Sequence, residues 1–580
     1  MRYGLYKSDA PNVLSTLLKT TSLLITSPLI NILSTYQNMN TIAQRNEVHQ
    51  NGDRNKNENG DDNNIIHTLI QPHKLKDSII ESLHNDGFSS TSISSVIYTK
   101  ENPSYSTVLN SQIRNLRFIT PTTPKPLLII TPLHASHVQG AVTWAKKKRL
   151  QMKIRSGGHD YEGLSYVSNS PFFILDMFNL RSVQVNVEDE TAWVQTGATL
   201  GELIYNIGKN SNVLGFPAGV CPTVGVGGHF SGAGYGNMMR KYGLTIDNVI
   251  DAEIVDVNGR LLNRETMGED LFWAIRGGGG ASFGVILSYK IKLVRVPEIV
   301  TVFRVTRTME ENALDIVLQW QEIASTIDDN LFLRLTMDAV DGLVEGEKTV
   351  KATFNTLFLG DSKTLISIMR EQFPKLGLSE SDCYEASWVD SVIFWADDPI
   401  GTPIESLLRR RPSKLSHLTR KSDYVRDPIS KDGFEFIFKK LIELEAVRLT
   451  FNPYGGKMSE IPEEDAPFPH RKGNLFKIQY LCNWDETGEE KAKYYTDLVR
   501  KLYVYMTPYV SKYPRRAYYN YRDLDLGVNK HDGSKSYIDG RKYGIQYFVN
   551  NFDKLVKVKG MVDPENFFRN EQSIPLLPTM

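Results

Sequence analysis

Two glycine-rich stretches of the chain each carry one nucleophilic side chain. The first, residues 154–163, reads IRSGGHDYEG and contains His159; the second, residues 219–236, reads GVCPTVGVGGHFSGAGYG and contains Cys221. Glycines let backbone N–H groups approach an anion closely. An imidazole nitrogen or a thiolate can also attack an electrophilic cofactor. The two stretches are therefore predicted to form the walls of one cofactor slot.

Other cofactor chemistries fit these residues less well. No G-x-G-x-x-G motif follows a predicted strand, so a Rossmann nucleotide site is not supported. His159 and Cys221 lack the paired second ligands that a zinc site needs, so no metal site is predicted. Taken alone, His159 would be a loop histidine bonded to backbone and Cys221 a small buried thiol. Their position in two glycine turns favours a cofactor site instead.

The bulk composition limits the class of protein. The chain has 580 residues, which predicts two or more domains. Its 67 Lys and Arg balance 67 Asp and Glu, so no charged field indicates nucleic acid as a partner. Hydrophobic residues make up 41%, yet no apolar run is long enough for a membrane span. We expect a soluble globular protein that acts on a small molecule.

Cysteine and asparagine usage indicates the compartment. The three cysteines, Cys221, Cys383 and Cys482, are too few for a disulfide framework in a chain of this length. The only Asn-x-Ser/Thr triplet, at Asn102, has proline in the middle and cannot be glycosylated. An intracellular location, cytosolic or organellar, is therefore favoured. Residues 1–64 read as a leader, either a transit peptide or an untargeted tail, followed by a polar linker.

The rest of the chain divides into three predicted segments. Residues 65–297 alternate short strands, helices and glycine turns, with a core at about 122–297. Residues 298–519 contain fewer glycines and longer alternating strands, which predicts an antiparallel sheet with helices on one face. Residues 520–580 return to glycine and asparagine turns and are expected to fold back on the first segment. The predicted fold class is α+β.

Five motifs in this order resemble the plant berberine bridge enzyme-like flavoproteins. They are RSGGHDYEG at 155–163, GVCPTVGVGG at 219–228, GEDLFWAIRGGGG at 268–280, NYRDLD at 520–525 and NFFRNEQSI at 566–574. The resemblance covers the chain from about residue 75 to its end. It implies a two-part FAD-binding domain of the vanillyl-alcohol oxidase (PCMH) type, built from both ends of the chain around an inserted substrate domain. A secretory or vacuolar route is also possible by this resemblance.

The resemblance also implies how the cofactor is held. FAD would be bound by two covalent links, from His159 to the flavin 8α carbon and from Cys221 to C6. Two such bonds withdraw electron density and should make the flavin a better hydride acceptor. The further predicted cofactor-binding residues are Arg155, Ser156, Gly157, Gly158, Gly219, Val224, Gly225, Gly227, Gly228, Gly232 and Asn566.

On the substrate side, the resemblance makes Tyr521 the catalytic base. A free tyrosine has a pKa near 10, so it needs a nearby cation to act at neutral pH. Lys477 is the expected cation, and it shares a strand face with Gln479 because residues two apart project to the same side. Without the family pattern Lys477 would read as a solvated strand residue. Family members that resemble aromatic alcohol oxidases carry the same Lys-Ile-Gln sequence, and this resemblance adds Tyr161, Tyr235 and Arg334 to the predicted substrate site.

The expected activity is an FAD-dependent oxidase that takes hydride from an alcohol and passes electrons to O2, giving hydrogen peroxide. Val224 matches the family position that carries valine in oxygen-reactive members. The substrate is predicted to be an aromatic allylic alcohol or a sugar. An oxidase that closes a ring in an alkaloid or phenolic precursor, and a redox-silent FAD-binding cyclase, stay open as alternatives. The chain is expected to be a monomer.

The chain departs from secreted members of the family at one predicted disulfide. The resemblance implies cysteines in the first helix and in the helix before the His159 turn, and Ser82 and Trp144 stand in those places here. We expect the fold to tolerate the loss, because one disulfide contributes only about 2–4 kcal/mol.

Overall fold

The structure of the chain, a computed structural model, describes residues 72–85, 93–529 and 534–578. The predicted leader and linker, residues 1–64, lie outside these ranges. Within them, no helix is both long enough and apolar enough to cross a membrane.

The first sheet positions the strand that leads into the His159 turn. Its four strands lie in the order β1-β2-β4-β3, with β2, β4 and β3 parallel and β1 antiparallel at the edge. The elements are α1 (Pro72–Asn85), β1 (Ile97–Thr99), α2 (Tyr105–Ser111), β2 (Leu128–Ile130), α3 (Ala135–Lys148), β3 (Gln151–Arg155) and β4 (Phe172–Asp176). Three lysines occupy the last turn of α3, where the helix dipole favours positive charge.

A second, antiparallel sheet carries the Cys221 turn between its strands. Its five strands have the order β5-β6-β10-β8-β9, and a separate pair joins β11 to β7. The elements are β5 (Val183–Asn186), β6 (Thr191–Gln195), α4 (Leu200–Asn210), β7 (Leu214–Gly215), α5 (Val226–Ser231), α6 (Met239–Tyr242), β8 (Val249–Val255), β9 (Leu261–Leu262), α7 (Arg264–Ile275), β10 (Val285–Lys292) and β11 (Val294–Arg295). Strands β5 and β6 form an antiparallel hairpin.

Helix α4 begins at a capping box. The Thr199 hydroxyl accepts a hydrogen bond from the Glu202 backbone N–H at 3.2 Å, and the Glu202 carboxylate accepts one from the Thr199 N–H at 2.8 Å. Two otherwise unpaired backbone donors are satisfied in this way, which fixes the start of the helix.

The third sheet has seven antiparallel strands in the order β15-β12-β14-β13-β17-β18-β16. Its elements are β12 (Val300–Thr308), α8 (Ala313–Ile323), β13 (Leu331–Asp341), β14 (Lys348–Phe358), α9 (Ser362–Gln372), β15 (Cys383–Ala386), α10 (Trp388–Trp395), β16 (His417–Val425), α11 (Lys431–Leu444), β17 (Arg448–Pro453), α12 (Lys457–Glu460), β18 (Phe476–Trp484) and α13 (Glu489–Tyr505). The predicted α+β class and antiparallel sheet are confirmed.

The two faces of this sheet differ in polarity. Leu333 and Leu335 of β13 and Ile478 of β18 join one apolar core with residues of α8, α9, α11 and α13. Because strand side chains alternate, Lys477 and Gln479 lie on the opposite face, as the sequence predicts. That face turns towards the functional site, and the helices cover the other.

The C-terminal segment packs against the first two sheets. It contains α14 (Ser534–Phe548) and α15 (Phe552–Val562). The fully buried ammonium of Lys559 donates to Asp563 Oδ2 at 2.6 Å, to Ser282 O at 2.7 Å and to Phe568 O at 2.7 Å. Lys153 of β3 forms an ion pair with Glu571 at 2.7 Å. These buried polar contacts fix the returning segment onto the first part of the chain.

Apolar contacts cross the predicted domain boundaries at 297 and 519. Gln71–Met580 forms one compact unit. A single apolar core includes Val226 and Phe230 from the first segment, Phe332 and Trp395 from the second, and Tyr518 near the third. The boundary positions therefore stay a prediction.

Trp144 fills the interface between α1 and α3. Its indole N–H donates to Ser78 Oγ at 3.3 Å, and its ring packs edge-on against Phe173. The partner on α1 is thus Ser78, one helical turn before Ser82. All three cysteines of the chain are free thiols in the structure. The helix pair is held here by a bulky side chain, where the resemblance implies a disulfide.

Candidate active site

The His159 turn follows β3 and is shaped by close packing against the backbone of residue 112. A Cβ atom on Gly158 would lie 1.7 Å from Gln112 O, and Gly158 has a φ of 70°. Only glycine adopts this conformation at so short a distance without strain. Asn115 holds the far side of the turn, because its Nδ2 donates to Tyr161 O at 3.0 Å. His159 and Tyr161 are fixed in direction by these contacts.

The Cys221 turn touches the His159 turn directly, backbone against backbone. A Cβ atom on Gly157 would lie 2.3 Å from Gly225 N, and one on Gly225 would lie 2.2 Å from Gly157 N. The turn then leads into α5. Just before that helix, Leu200 N donates a hydrogen bond to Val224 O at 2.8 Å, which fixes this end of the turn. The missing side chains let the two turns meet, which brings His159 and Cys221 to one cavity.

This cavity has a volume of about 420 Å³ and collects most of the predicted site residues. Both glycine turns, the polar face of the third sheet and the C-terminal segment form its wall. The predicted residues on the wall are Ser156, Gly157, Gly158, His159, Tyr161, Gly219, Cys221, Val224, Gly225, Gly227, Gly228, Tyr235, Arg334, Gln479 and Tyr521.

Three predicted cofactor-binding residues lie outside the wall, and their role in cofactor binding stays a prediction. Arg155 is fully buried, where it donates to Asp176 Oδ2 at 2.7 Å and to Leu109 O at 2.7 Å. Gly232 makes room for Asn520, because a Cβ atom there would lie 1.9 Å from Asn520 Oδ1.

The third, Asn566, adopts a left-handed turn with a φ of 52°. Its backbone carbonyl accepts a hydrogen bond from Arg569, and Arg569 and Asn570 reach the cavity instead. Arg155, Gly232 and Asn566 therefore support the site without lining it.

His159 is held as a neutral ring. Burial, together with the nearby Arg114 guanidinium, lowers its pKa to about 3, and a hydrogen bond with the Thr223 backbone opposes this shift. The Thr223 hydroxyl lies 3.0 Å from His159 Nε2 and 3.5 Å from Cys221 Sγ. A neutral imidazole keeps a lone pair on one ring nitrogen, so His159 is a nucleophile at any ordinary pH. Cys221 is exposed to the cavity.

Four side chains form two hydrogen-bonded pairs on the substrate side. The hydroxyls of Tyr235 and Tyr521 form a very short hydrogen bond, and Gln479 Nε2 donates to Tyr161 Oη at 2.8 Å. The rings of Tyr161 and Tyr521 lie 5.5 Å apart. One hydroxyl of each pair is thus placed next to the other pair.

The ionisation of Tyr521 differs from the sequence expectation. Burial raises its pKa well above 10, and the neighbouring Tyr235 and Tyr161 raise it further, while Arg334 lowers it. From the sequence, Lys477 was expected to lower the pKa of Tyr521. Burial outweighs the cation, so Tyr521 is a neutral phenol in this state.

Lys477 lies beside the cavity wall in a cage of aromatic rings. Its ammonium nitrogen is 3.0 Å from the ring centre of Tyr235, 4.1 Å from that of Tyr518 and 4.6 Å from that of Tyr521. The nitrogen is buried and has no hydrogen-bond partner within the described ranges. Burial, followed by Arg334, lowers its pKa well below 10.5. Lys477 is therefore close to Tyr521, as predicted, but its lowered pKa favours the neutral amine.

Arg334 occupies the end of the cavity next to the third sheet. Its Nε donates to Asn452 Oδ1 at 2.8 Å, and its guanidinium stacks over the Trp395 ring at 4.8 Å. These contacts fix the guanidinium while leaving it on the cavity wall.

Some wall residues were missed by the sequence analysis. His229 accepts a hydrogen bond from Gly219 N on its Nε2 at 3.0 Å, and burial lowers its pKa to about 3, so its proton lies on Nδ1. It is the one histidine in the second glycine stretch, and this position was the available signal. Lys153, Arg522 and Arg569 also line the cavity. Arg522 and Arg569 lie inside two of the recognised motifs, but only the fold brings them to the same cavity as Lys153.

The residues of the cavity fit FAD. A Cβ atom on Gly228 would meet nothing within 4 Å, so the backbone there faces open space that a bound group can fill. Three basic side chains, Lys153, Arg522 and Arg569, suit a diphosphate. His159 and Cys221 can reach a flavin ring from one wall. Among the described residues no cluster of His, Cys, Asp and Glu is placed to hold a metal ion.

Comparison with known proteins agrees with this assignment. The sequence pattern of the FAD binding domain family matches residues 126–264, and the pattern described as berberine and berberine like matches residues 517–575. Berberine bridge enzyme-like 8 of Arabidopsis thaliana is 59% identical over 490 residues, which cover 84% of this chain and 92% of that protein.

Solved structures are similar over most of the chain. The structure of berberine bridge enzyme-like 28 from Arabidopsis thaliana has 47% identity and a TM-score of 0.79, covering 83% of this chain and 98% of that one. The grass pollen allergen Phl p 4, described as having glucose dehydrogenase activity, has 44% identity and a TM-score of 0.80, covering 84% and 98%. Its variant with valine in place of one isoleucine is described as a glucose oxidase; that structure has 44% identity and a TM-score of 0.81, covering 86% and 100%.

The fold and the matched families define the class first: this is an FAD-dependent oxidoreductase with a PCMH-type cofactor fold. The chain belongs to the berberine bridge enzyme-like family. The resemblance inferred from the five motifs is thereby confirmed.

Replacing Gly157 by alanine tests the contact between the two turns. The new methyl group would lie 2.3 Å from Gly225 N, so the turns must separate. We expect the free energy of unfolding of the apoprotein to fall by about 1–3 kcal/mol, as in other overpacked sites. Denaturant unfolding of the apoprotein measures this change in the free energy of unfolding. Gly228→Ala is the matched control, since its methyl group enters open cavity: it should leave this stability unchanged and weaken FAD binding. Equal stability of both apoproteins would contradict the contact.

Proposed function

We propose that this protein holds FAD through two covalent bonds, from His159 to the 8α carbon and from Cys221 to C6. With it the protein oxidises the carbinol carbon of a small alcohol to an aldehyde or ketone. The observation that carries the proposal is that both nucleophiles and Tyr521 line one cavity. We propose an aromatic allylic alcohol or a sugar as substrate, and O2 as the electron acceptor.

The state of the two nucleophiles supports covalent attachment. His159 is neutral, because burial and Arg114 lower its pKa to about 3. Cys221 is exposed on the same cavity, so its sulfur is accessible. A structural thiol would be buried and inert. Cys482 is such a thiol: it is 1% exposed, and burial raises its pKa to about 11.

When bound, FAD supplies the acceptor for the substrate hydride and returns the electrons to O2. The protein's own part is to bind the alcohol and take its proton. Tyr161 and Gln479 form one hydrogen-bonded pair that can orient the substrate hydroxyl. Tyr521 Oη can receive the hydroxyl proton, with Tyr235 hydrogen-bonded to that oxygen. The tyrosine rings around this point suit the flat face of an aromatic or sugar ring.

Tyr521 must lose its own proton before it can act as a base. Its pKa is raised by burial, so the phenol is the resting form. Arg334 lowers that pKa, and Lys477 lies 4.6 Å from the centre of the Tyr521 ring. A positive charge on either side chain stabilises the phenolate through the low-dielectric cavity wall. We therefore assign the stabilisation of the phenolate to Arg334, with a contribution from Lys477 only while its amine is protonated, and the proton transfer to Tyr521.

Two observations support O2 as the acceptor. Val224 lines the cavity three residues after Cys221. The grass pollen relative is described as a glucose dehydrogenase, and its variant with valine for isoleucine as a glucose oxidase. A small side chain at the proposed family position leaves room for O2 beside the flavin. The presence of valine here favours an oxidase.

Covalent attachment is tested by precipitating the protein with acid. The wild-type pellet should stay yellow, because two bonds keep the flavin on the chain. His159→Ala and Cys221→Ala should each keep one bond, and the double variant should release all flavin. Cys482→Ala is the matched control and should behave as wild type. Mass spectrometry of tryptic peptides locates each link, and a colourless wild-type pellet would contradict the proposal.

The role of Tyr521 is tested by replacing it with phenylalanine. Flavin reduction by an alcohol should slow by about 10²–10⁴-fold, the usual contribution of a general base. Because burial raises the pKa of Tyr521, the wild-type rate should rise with pH through the alkaline range as the phenolate forms. Tyr521→Phe should lose that rise.

Stopped-flow reduction under anaerobic conditions measures both quantities, with substrates drawn from an oxygen-consumption screen of alcohols and sugars. Tyr494→Phe, at an exposed tyrosine, is the control and should keep the wild-type rate and pH profile. An unchanged pH profile in Tyr521→Phe would exclude this residue as the base.

Val224→Leu tests the access of O2. Reoxidation of the reduced flavin by O2 should slow by about tenfold, equal to ~1.4 kcal/mol of activation free energy. Reduction by substrate should change little, because Val224 is not in the tyrosine cluster. Val220→Leu adds the same bulk elsewhere on the wall and should leave reoxidation unchanged. Equal O2 kinetics in the wild type and Val224→Leu would contradict the role of Val224.

A further inference from the structure

One buried hydroxyl joins the two proposed attachment residues. Thr223 Oγ1 lies 3.0 Å from His159 Nε2 and 3.5 Å from Cys221 Sγ, and the residue is 7% exposed. These are the hydrogen bonds that the structure gives this hydroxyl among the described residues. A hydroxyl that only needed a partner could bind a backbone carbonyl nearby. Here both partners are the side chains that we propose to react with the cofactor.

The backbone around Thr223 fixes the position of its hydroxyl. Val224 N donates to Cys221 O at 3.2 Å, which closes a tight turn around Pro222 and Thr223. Gly201 N donates to Pro222 O at 2.8 Å, which ties the turn to α4. These two backbone hydrogen bonds therefore hold the Thr223 hydroxyl between the His159 ring and the Cys221 sulfur.

We propose that Thr223 is a positioning residue for cofactor attachment, whose hydroxyl orients His159 and Cys221 and passes a proton between them. This inference rests on the covalent attachment proposed above. It adds a route for the proton, from His159 through Thr223 to Cys221, that neither nucleophile provides alone.

A threonine hydroxyl can accept one proton while donating its own. When His159 carries its proton on Nε2, it donates to Thr223 Oγ1, and Thr223 donates to Cys221 Sγ. That arrangement leaves the lone pair on His159 Nδ1, so Nδ1 is the nitrogen that can attack. Arg114 is the charged group that acts on the His159 ring, and its own acceptors are neutral: Gly157 O at 3.2 Å and Gln112 Oε1 at 2.6 Å. Among the described residues the hydrogen-bond partner of His159 Nε2 is the Thr223 hydroxyl, which therefore offers a route for the ring proton.

The balance of each attachment is simple. For His159, a C–N bond forms, one hydrogen leaves the 8α carbon, and the ring loses its Nε2 proton to Thr223, whose own proton passes to the Cys221 thiolate. For Cys221, a C–S bond forms, and hydrogen leaves C6 of the flavin and the sulfur. In the His159 step, O2 takes up the two electrons, the proton from the 8α carbon and one proton from solvent, because the ring proton stays on Cys221. In the Cys221 step, a second O2 takes up the two electrons and the two protons released from C6 and the sulfur. Each O2 becomes hydrogen peroxide. Once Cys221 is linked through its sulfur, it can no longer accept the proton, so attachment at His159 should come first.

The rate of attachment in the full-length apoprotein tests the proposal. FAD is added, samples are quenched with acid, and mass spectrometry measures the peptides linked at His159 and at Cys221 over time. Thr223→Val keeps the shape of the side chain but removes the hydroxyl, and it should slow the His159 link by at least about tenfold. Thr223→Ser restores the hydroxyl and should stay within about threefold of the wild type. The affinity for FAD before attachment should be equal in both variants, which a merely structural role would not give.

A second variant keeps the test independent of how well Thr223→Val folds. Cys221→Ala removes the proton acceptor, so the His159 link should form more slowly than in the wild type. Cys482→Ala is the control and should not change it. If the wild type forms no linked peptide, the proposed function fails and this inference with it. If the wild type forms both links and Thr223→Val attaches as fast as Thr223→Ser, only the role of Thr223 is overturned.

Discussion

The site depends on the contact between Gly157 and Gly225, two residues without side chains that let separate turns meet. The distances of 2.2–2.3 Å for added Cβ atoms leave no room for another residue type. This contact places an imidazole from the first sheet and a thiol from the second on one cavity. Every later feature of the site is built around that shared wall. The nucleophiles themselves contribute nothing to the contact, so chemistry and packing are assigned to different residues.

Buried charge forms a second constraint on the same region. Arg155 is paired with Asp176 behind the His159 turn, and Lys559 is paired with Asp563 where the C-terminal segment returns. Both cations, Arg155 and Lys559, are fully buried and also donate hydrogen bonds to backbone carbonyls. Lys477 is the contrast: it is equally buried, three aromatic rings surround its nitrogen, and that nitrogen has no hydrogen-bond partner among the described residues. Paired ions fix the frame, whereas the unpaired amine lies where proton movement is proposed.

Local patterns in the sequence predicted the elements well, and long-range contacts poorly. The alternation of Lys477 and Gln479 was enough to place both side chains on one face of a strand, because periodicity reports on one face of one element. The five motifs also identified the family and the residues of both turns. Arg155 was assigned to the cofactor because it lies in a motif, but its direction is set by Asp176 on the neighbouring strand. The neutral state of Tyr521 could not be predicted from its motif, since burial is a property of the whole fold. Thr223 lay inside a recognised motif, yet only the meeting of two turns gives its hydroxyl a role.

The ion pair between Lys153 and Glu571 joins positions 418 residues apart in the chain, and Arg569 completes the cavity wall beside it. Closing so long a loop is entropically costly, and folds dominated by such contacts form slowly. Because this part of the wall comes from the far end of the chain, we expect it to close after the two glycine turns have met. FAD that binds the completed cavity stabilises the folded chain by mass action, so flavin supply should raise the yield of folded protein as well as its activity.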